Sequence, residues 1–311
     1  MVNKKLMALT ISKKNIYRGI LLAVLATIIW SGNFVVARGV IKEIPPISLA
    51  FYRWLTGTLI IAPFAIKHFK KERKIIFSNW KYIFWVALFG ITIYNTLIYV
   101  AGKYLPAVNL ALIGTTSSPV MSIILAAIFL KEAIKPLRII GIIVCIAGIL
   151  LLLSGGSWQK LIHFHFSPGD WWILLAALSF AIYNILVRKK PAGISPLSFL
   201  FATFSLGTLM LLPAFAIEAA NTGPINWSPS LISVILYLGM GNSVLSFLFW
   251  NAAIARLGAG RTSLFGNLIP IFSSIEAVLF LGEEITSIHI ISGILVIGGL
   301  IIANLRKSNT A

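Results

Sequence analysis

Apolar runs of roughly 18 to 25 residues recur along almost the whole chain, each long enough to cross a ~30 Å hydrocarbon core as a helix. This pattern constrains the fold more than any other feature, because backbone amides in lipid have no partner unless the runs are helical. Hydrophobic residues make up 59% of the 311 and charged ones 11%, where a soluble domain carries about a quarter charged. The sequence therefore implies an all-α integral membrane protein. Its net charge of +18 does not point to nucleic acid, because most Lys and Arg sit in short segments between apolar runs and not on one face of a domain. The single cysteine, Cys145, lies in an apolar run, reads as a small core residue and excludes an internal disulfide. The basic start, MVNKKLMALTISKKNIYRG, precedes an apolar run too long for a signal-peptide core and without an A-x-A-like site, so it is expected to lead into an uncleaved first helix.

Ten spans are expected, at about 18–40, 47–66, 80–102, 107–130, 136–153, 170–188, 195–217, 230–255, 260–281 and 287–304. With the N-terminus inside, 21 of 26 basic residues fall in cytoplasmic segments and Arg38, Lys42, Lys103 and Lys160 in outer ones. That split is a strong positive-inside signal and favours ten spans with both termini cytoplasmic in the inner membrane. The expected organisation is a cytoplasmic tail (1–17), a five-helix repeat (18–153), an outer connecting loop (154–169), a second five-helix repeat (170–305) and a cytoplasmic tail (306–311).

The repeat is visible as an offset of 150 or 151 residues. It lays Arg38 on Arg188, Pro46 on Pro196, Ser48 on Ser198, Gly57-Thr58-Leu59 on Gly207-Thr208-Leu209 and Pro63 on Pro213. Further on it lays Gly90 on Gly241, Pro119 on Pro270, Glu132 on Glu283 and Gly148 on Gly299. With five spans each, the halves must cross the membrane in opposite senses, the inverted-repeat plan of many transporters. The LKE and LGEE ends of the fourth span of each half, FYRW in span two and NLIPIFSSIEAVLFLGEE in span nine resemble the EamA family of the drug/metabolite transporter superfamily. That resemblance covers about residues 18 to 305. It implies a central cavity lined by spans 1, 3, 4, 6, 8 and 9, and export of amino acids, other metabolites or drugs.

The hydroxyl-rich GTTSSP of span four sets Thr115, Thr116, Ser117 and Ser118 beside Pro119, which removes a helix hydrogen bond and predicts a kink. Pro270 is its equivalent in span nine. Either the hydroxyls repair the kink, or GTTSSP and GNLIP face each other across a substrate cavity, with Thr116 and Asn267 as the equivalent polar pair. Further candidate lining comes from Trp30 and Asn33 on one face of span one, Asn95 and Tyr99 on span three, Tyr183 on span six, and Asn242, Ser246 and Trp250 on span eight. For any one of these, helix packing is the competing explanation.

Arg53 and Glu276 lie well inside spans two and nine, both roughly 10 Å below the outer boundary. Intramembrane charges are functional candidates by default. Matched depth and opposite sign suggest a direct pair, acting as an outer gate, a proton-coupled site or a static lock. Glu276, however, is nine residues past Asn267 and so points the opposite way around its helix. Glu132 and Glu283 are expected to cap or anchor helix ends. Gly141 with Gly148, and Ser292 with Gly299, permit close helix contact, within a monomer or in a homodimer. His163 and His165 offer two metal ligands without a third, so no metal or cofactor is expected, and no P-loop is present for ATP to drive transport. The expected activity is secondary transport of a small molecule, amino acids first, with drugs or nucleosides as alternatives. The buried acid–base inventory is thin for a membrane-embedded enzyme.

Overall fold

The computed structural model describes residues 13–131, 136–157, 159, 166–257, 262 and 265–304. Among the described residues there is no strand. The helices are α1 (Lys13–Gly39), α2 (Pro46–Ser78), α3 (Trp80–Ala87), α4 (Tyr94–Ala101), α5 (Ala107–Leu130), α6 (Pro136–Leu153), α7 (Pro168–Arg188), α8 (Pro196–Asn221), α9 (Pro229–Leu236), α10 (Ser246–Leu257), α11 (Ile269–Leu281) and α12 (Ser287–Asn304). A π-helical stretch, Leu88–Ile93, joins α3 to α4, and another, Tyr237–Leu245, joins α9 to α10. Among the described residues, seven helical stretches are long and apolar enough to cross a membrane, and three shorter apolar ones accompany them. Large apolar side chains such as Phe280 (75% exposed) and Phe129 (66% exposed) cover the outside, an arrangement suited to lipid and not to water. Glu132, His163 and His165, residues 1–12 of the first tail and the whole of the second lie outside the described residues.

One helix outruns its expected span, and one sequence expectation is corrected. The charged stretch after residue 66 continues α2 as helix to Ser78, because its Lys, Arg and Glu residues favour helix and Glu72 finds a structural partner. The paired proline kinks are not alike. Pro119 sits inside the uninterrupted α5, whereas Pro270 stands in the first turn of α11 after a 3₁₀ turn at Gly266–Leu268. At a helix start the missing N–H removes no intrahelical bond, so Pro270 begins a helix instead of bending one.

The repeat-equivalent helices α2 and α8 pack antiparallel along their lengths. Thr58 and Thr208, equivalent under the 150-residue offset, face each other at 3.4 Å, and Phe51 stacks on Phe215 at 4.3 Å. Each helix carries, in its C-terminal part, a glutamate that caps the other. Glu218 accepts from the Ile47 and Ser48 amides at 3.2 and 2.6 Å, and Glu72 accepts from the Ser195 amide at 2.9 Å. A carboxylate there satisfies orphan amides and opposes the helix dipole. Glu218→Ala should therefore cost about 2 kcal/mol, read as a lower melting temperature of the detergent-solubilised protein.

The LKE and LGEE signatures have a related explanation. Lys131 and Gly282 are equivalent, and both end their helices in the left-handed conformation (φ 54° and 66°). Glu283 then accepts from the Ala107 and Val108 amides at 2.7 and 3.1 Å and caps α5. The small residues of α6 and α12 meet within the chain. A Cβ on Gly141 would lie 2.5 Å from the Gly299 carbonyl, and Cys145 Sγ donates to the Val296 carbonyl at 3.4 Å.

Candidate functional site

Arg53 sits two turns into α2 and is 4% exposed. Its guanidinium is held by five neutral side chains. Nη1 donates to Asn33 Oδ1 (2.5 Å), Asn95 Oδ1 (2.8 Å) and the Tyr99 hydroxyl (2.8 Å). Nη2 donates to Asn242 Oδ1 (2.7 Å) and Nε to Ser243 Oγ (3.0 Å). The Trp54 ring lies 4.8 Å from the guanidinium carbon, adding a cation–π contact. An unpaired charge this deeply buried is costly unless every donor has an acceptor, and the cage supplies oxygens without supplying a counter-charge.

Local structure explains the convergence. Asn95 and Tyr99 are four apart on α4 and share a face. Asn242 and Ser243 are adjacent, which in an α-helix would turn them about 100° apart. They sit in the π-helical stretch, where the widened turn lets both reach Arg53, and Ser246 Oγ donates to the Gly241 carbonyl five residues back. π-turns of this kind frequently mark functional sites. Gly57 permits the close approach: a Cβ there would lie 3.3 Å from Ser243 and 3.4 Å from the Gly239 carbonyl.

The cage continues into α1 and the aromatics. Asn242 Nδ2 and the Tyr237 hydroxyl both donate to the Ile29 carbonyl, at 2.7 and 2.5 Å, and Trp30 Nε1 donates to the Asn242 carbonyl at 3.1 Å. Trp30 also packs on Trp250 and Phe247, with ring centroids 5.1 and 5.4 Å apart. The repeat-equivalent place carries no charge, although Thr92, the equivalent of Ser243, donates to the Gly207 carbonyl at 3.2 Å. Thr203 stands for Arg53 and bonds its own helix, Ile91 stands for Asn242, and Tyr183 packs against Gly90 of the first π-turn and on Phe180.

The structure thus gathers Asn33, Asn95, Tyr99 and Asn242 around Arg53, with Trp30 and Trp250 adjoining, and Ser246 completes the π-turn. Thr115 bonds the Ala111 carbonyl at 2.6 Å, one turn before the carbonyl that Pro119 frees. The hydroxyls of Thr116, Ser117 and Ser118 are buried and make no hydrogen bond, so none joins Thr116 to the half-buried Asn267. The expected Arg53–Glu276 pair is not formed. Glu276 Oε1 accepts from Ser31 Oγ at 2.7 Å and its Oε2 has no partner. Ser31 and Asn33 are two positions apart, about 200° around α1, so Glu276 and Arg53 address opposite sides of the same helix. Sequence reasoning missed Ser243, Trp54 and Tyr237; the glycines of GMGNS (239–243) were the available signal. A cavity of about 600 Å³ opens near the α2 N-terminus, lined by Lys42, Glu43, Lys103 and Glu218 among others, and none of the candidate lining residues reaches it.

The family model described as EamA-like transporter family matches residues 17–154 and again 167–305. The chain belongs to that family. Its model matches the chain twice. Among relatives of this EamA-like chain, an "Uncharacterized transporter" of Archaeoglobus fulgidus is 27% identical over 92% of this chain and 97% of its own length. The "Uncharacterized transporter YyaM" of Bacillus subtilis is 32% identical over 70% of this chain and 71% of its own. A "Probable terminal-alkyne amino-acid exporter" of Streptantibioticus cattleyicolor is 27% identical over 70% of each chain. A crystal structure 20% identical shares the fold at a TM-score of 0.62, covering 92% of this chain and 96% of the other. These findings identify a multi-pass membrane transporter, not an enzyme.

Proposed function

We propose that this EamA-like transporter is a secondary carrier exporting small amphiphilic metabolites, amino acids foremost, across the cytoplasmic membrane. In this reading it has ten spans as two inverted five-helix repeats, both termini are cytoplasmic, and the halves alternate in access about a cavity between them. The observation that carries it is the Arg53 cage. Three helices of the first repeat are tied there to the π-turn of the second, while the repeat-related place has Thr203 where Arg53 stands and holds no charged group. In an inverted repeat, related places lie towards opposite ends of the pathway, so one end closes on a buried charge and the other without one. The antiparallel packing of α2 on α8 supports the inversion. The amino-acid exporter among the relatives supports the substrate class.

The test is counterflow in proteoliposomes with labelled amino acids, nucleosides and cationic dyes, with and without a pH gradient. Saturable, counterflow-competent flux of amino acids is expected. Flux confined to dyes or nucleosides moves the substrate class, and no flux of any class overturns the carrier reading. Any response to the gradient should disappear in Glu276→Gln, because that acid is held between α1 and α11 with one oxygen unpartnered.

A further inference from the structure

The five bonds to Arg53 divide by repeat. Nη1, with two N–H groups, is shared by Asn33, Asn95 and Tyr99, all in the first repeat, to which Arg53 itself belongs. Nε and Nη2 together form one edge of the guanidinium. That edge is held by Ser243 and Asn242, both in the second repeat and both on the π-turn. Two parallel N–H groups on one guanidinium edge match the two oxygens of a carboxylate. Every acceptor now bonded to Arg53 is neutral, so the cage keeps a net positive charge.

From this division we infer that Arg53 is the carboxylate-binding residue of the transport site, and that its Nε/Nη2 edge is exchanged between Asn242–Ser243 and the substrate's carboxylate; the inference rests on the carrier reading above. Separating the repeats at this end frees the edge, while Nη1 stays anchored to its own repeat and keeps the guanidinium oriented. A carboxylate binding there brings the missing counter-charge, which neither Asn242 nor Ser243 provides. Closing this end requires the edge back, so as the end closes the carboxylate passes from the edge deeper into the pathway. Lock and binding site are the same two N–H groups, so the carboxylate holds the edge only while this end is open. Trp54 against the guanidinium, and Trp30 and Trp250 beyond Asn242, provide apolar surface next to the edge for the remainder of an amphiphilic substrate.

The experiment uses the full chain in detergent and in proteoliposomes, with L-phenylalanine, L-phenylalanine methyl ester and phenethylamine as probes. Binding is followed by intrinsic tryptophan fluorescence, which Trp54 and Trp30 place beside the edge. The free acid should bind at least about tenfold more tightly than the ester or amine, the scale of a charge-assisted hydrogen bond. Arg53→Lys keeps the charge but loses the two-pronged edge. Asn33→Asp keeps the guanidinium but neutralises it from within its own repeat. Both should bring the acid-to-ester ratio to within about twofold. Thermal melting of each variant shows whether it has folded; should Arg53→Lys fail, the isosteric Asn33→Asp decides. Equal binding of acid and ester, binding of neither, or a ratio that survives in the folded variants overturns the inference. Counterflow measured alongside separates the two readings. Flux without acid preference sinks the carboxylate site and leaves the carrier standing, whereas acid-selective binding without flux of any class does the reverse.

Discussion

Arg53→Met should reduce counterflow per reconstituted molecule by at least about a hundredfold, equivalent to roughly 2.7 kcal/mol at 1.36 kcal/mol per decade. Methionine fills much of the same volume but donates nothing, so Asn33, Asn95, Asn242, Tyr99 and Ser243 lose their common donor at once. The Tyr99 hydroxyl still reaches Asn33 Oδ1 at 3.0 Å. Asn95 Oδ1 and Asn242 Oδ1, which would be left without Arg53, belong to buried side chains. Each stranded buried polar group costs about 1–3 kcal/mol, enough to disorganise the contact between α4 and the second π-turn. The loss falls on the closing contact between the repeats, so flux should fall further than stability. Wild-type flux in Arg53→Met, in protein that still melts cooperatively, would show that the cage is packing alone.

Much of this arrangement was legible in the sequence and some of it was not, for reasons of geometry. Helix positions followed from the apolar runs, although among the described residues seven stretches, not ten, are long and apolar enough to cross a membrane. The repeat followed from Pro, Gly and charge recurring at one offset, and Thr58 facing Thr208 across the α2–α8 contact is its physical counterpart. Arg53, Asn33, Asn95, Tyr99 and Asn242 each stand out as polar groups in apolar helices, yet their convergence on one guanidinium depends on how four helices are rotated about their axes. A sequence does not state those rotations. Matched depth made Arg53 and Glu276 look like partners, but depth fixes one coordinate of three, and α1 lies between them. Ser243 was hidden for a different reason. Neighbouring residues diverge in an α-helix, and the π-turn that lets Ser243 accompany Asn242 shows in the sequence as no more than two glycines in GMGNS. The run of α2 beyond residue 66 shows in the sequence only as charge, and Lys, Arg and Glu are good helix formers outside the membrane.

Gly141→Val should produce the second large effect, on stability and not on transport. The Cβ alone would sit 2.5 Å from the Gly299 carbonyl oxygen and 2.5 Å from the Ala303 amide nitrogen. These are backbone atoms that cannot rotate away, so α6 and α12 must separate along their shared face. Two further methyl carbons enlarge the gap. Separation also removes the Cys145–Val296 bond and loosens the small cluster of Val120, Cys145 and Leu300. Overpacking of this kind costs about 1–3 kcal/mol, and backbone contact on both sides puts this site at the upper end. The expected result is a melting temperature lower by about 6 °C or more, at roughly 2 °C per kcal/mol for a chain of this size. The half-saturation concentration of the surviving molecules should be unchanged, because α6 and α12 contribute nothing to the Arg53 cage. A shifted half-saturation concentration would mean that this helix pair belongs to the moving parts. An unshifted one would make α6 and α12 the fixed frame against which α1, α4 and the π-turn rearrange.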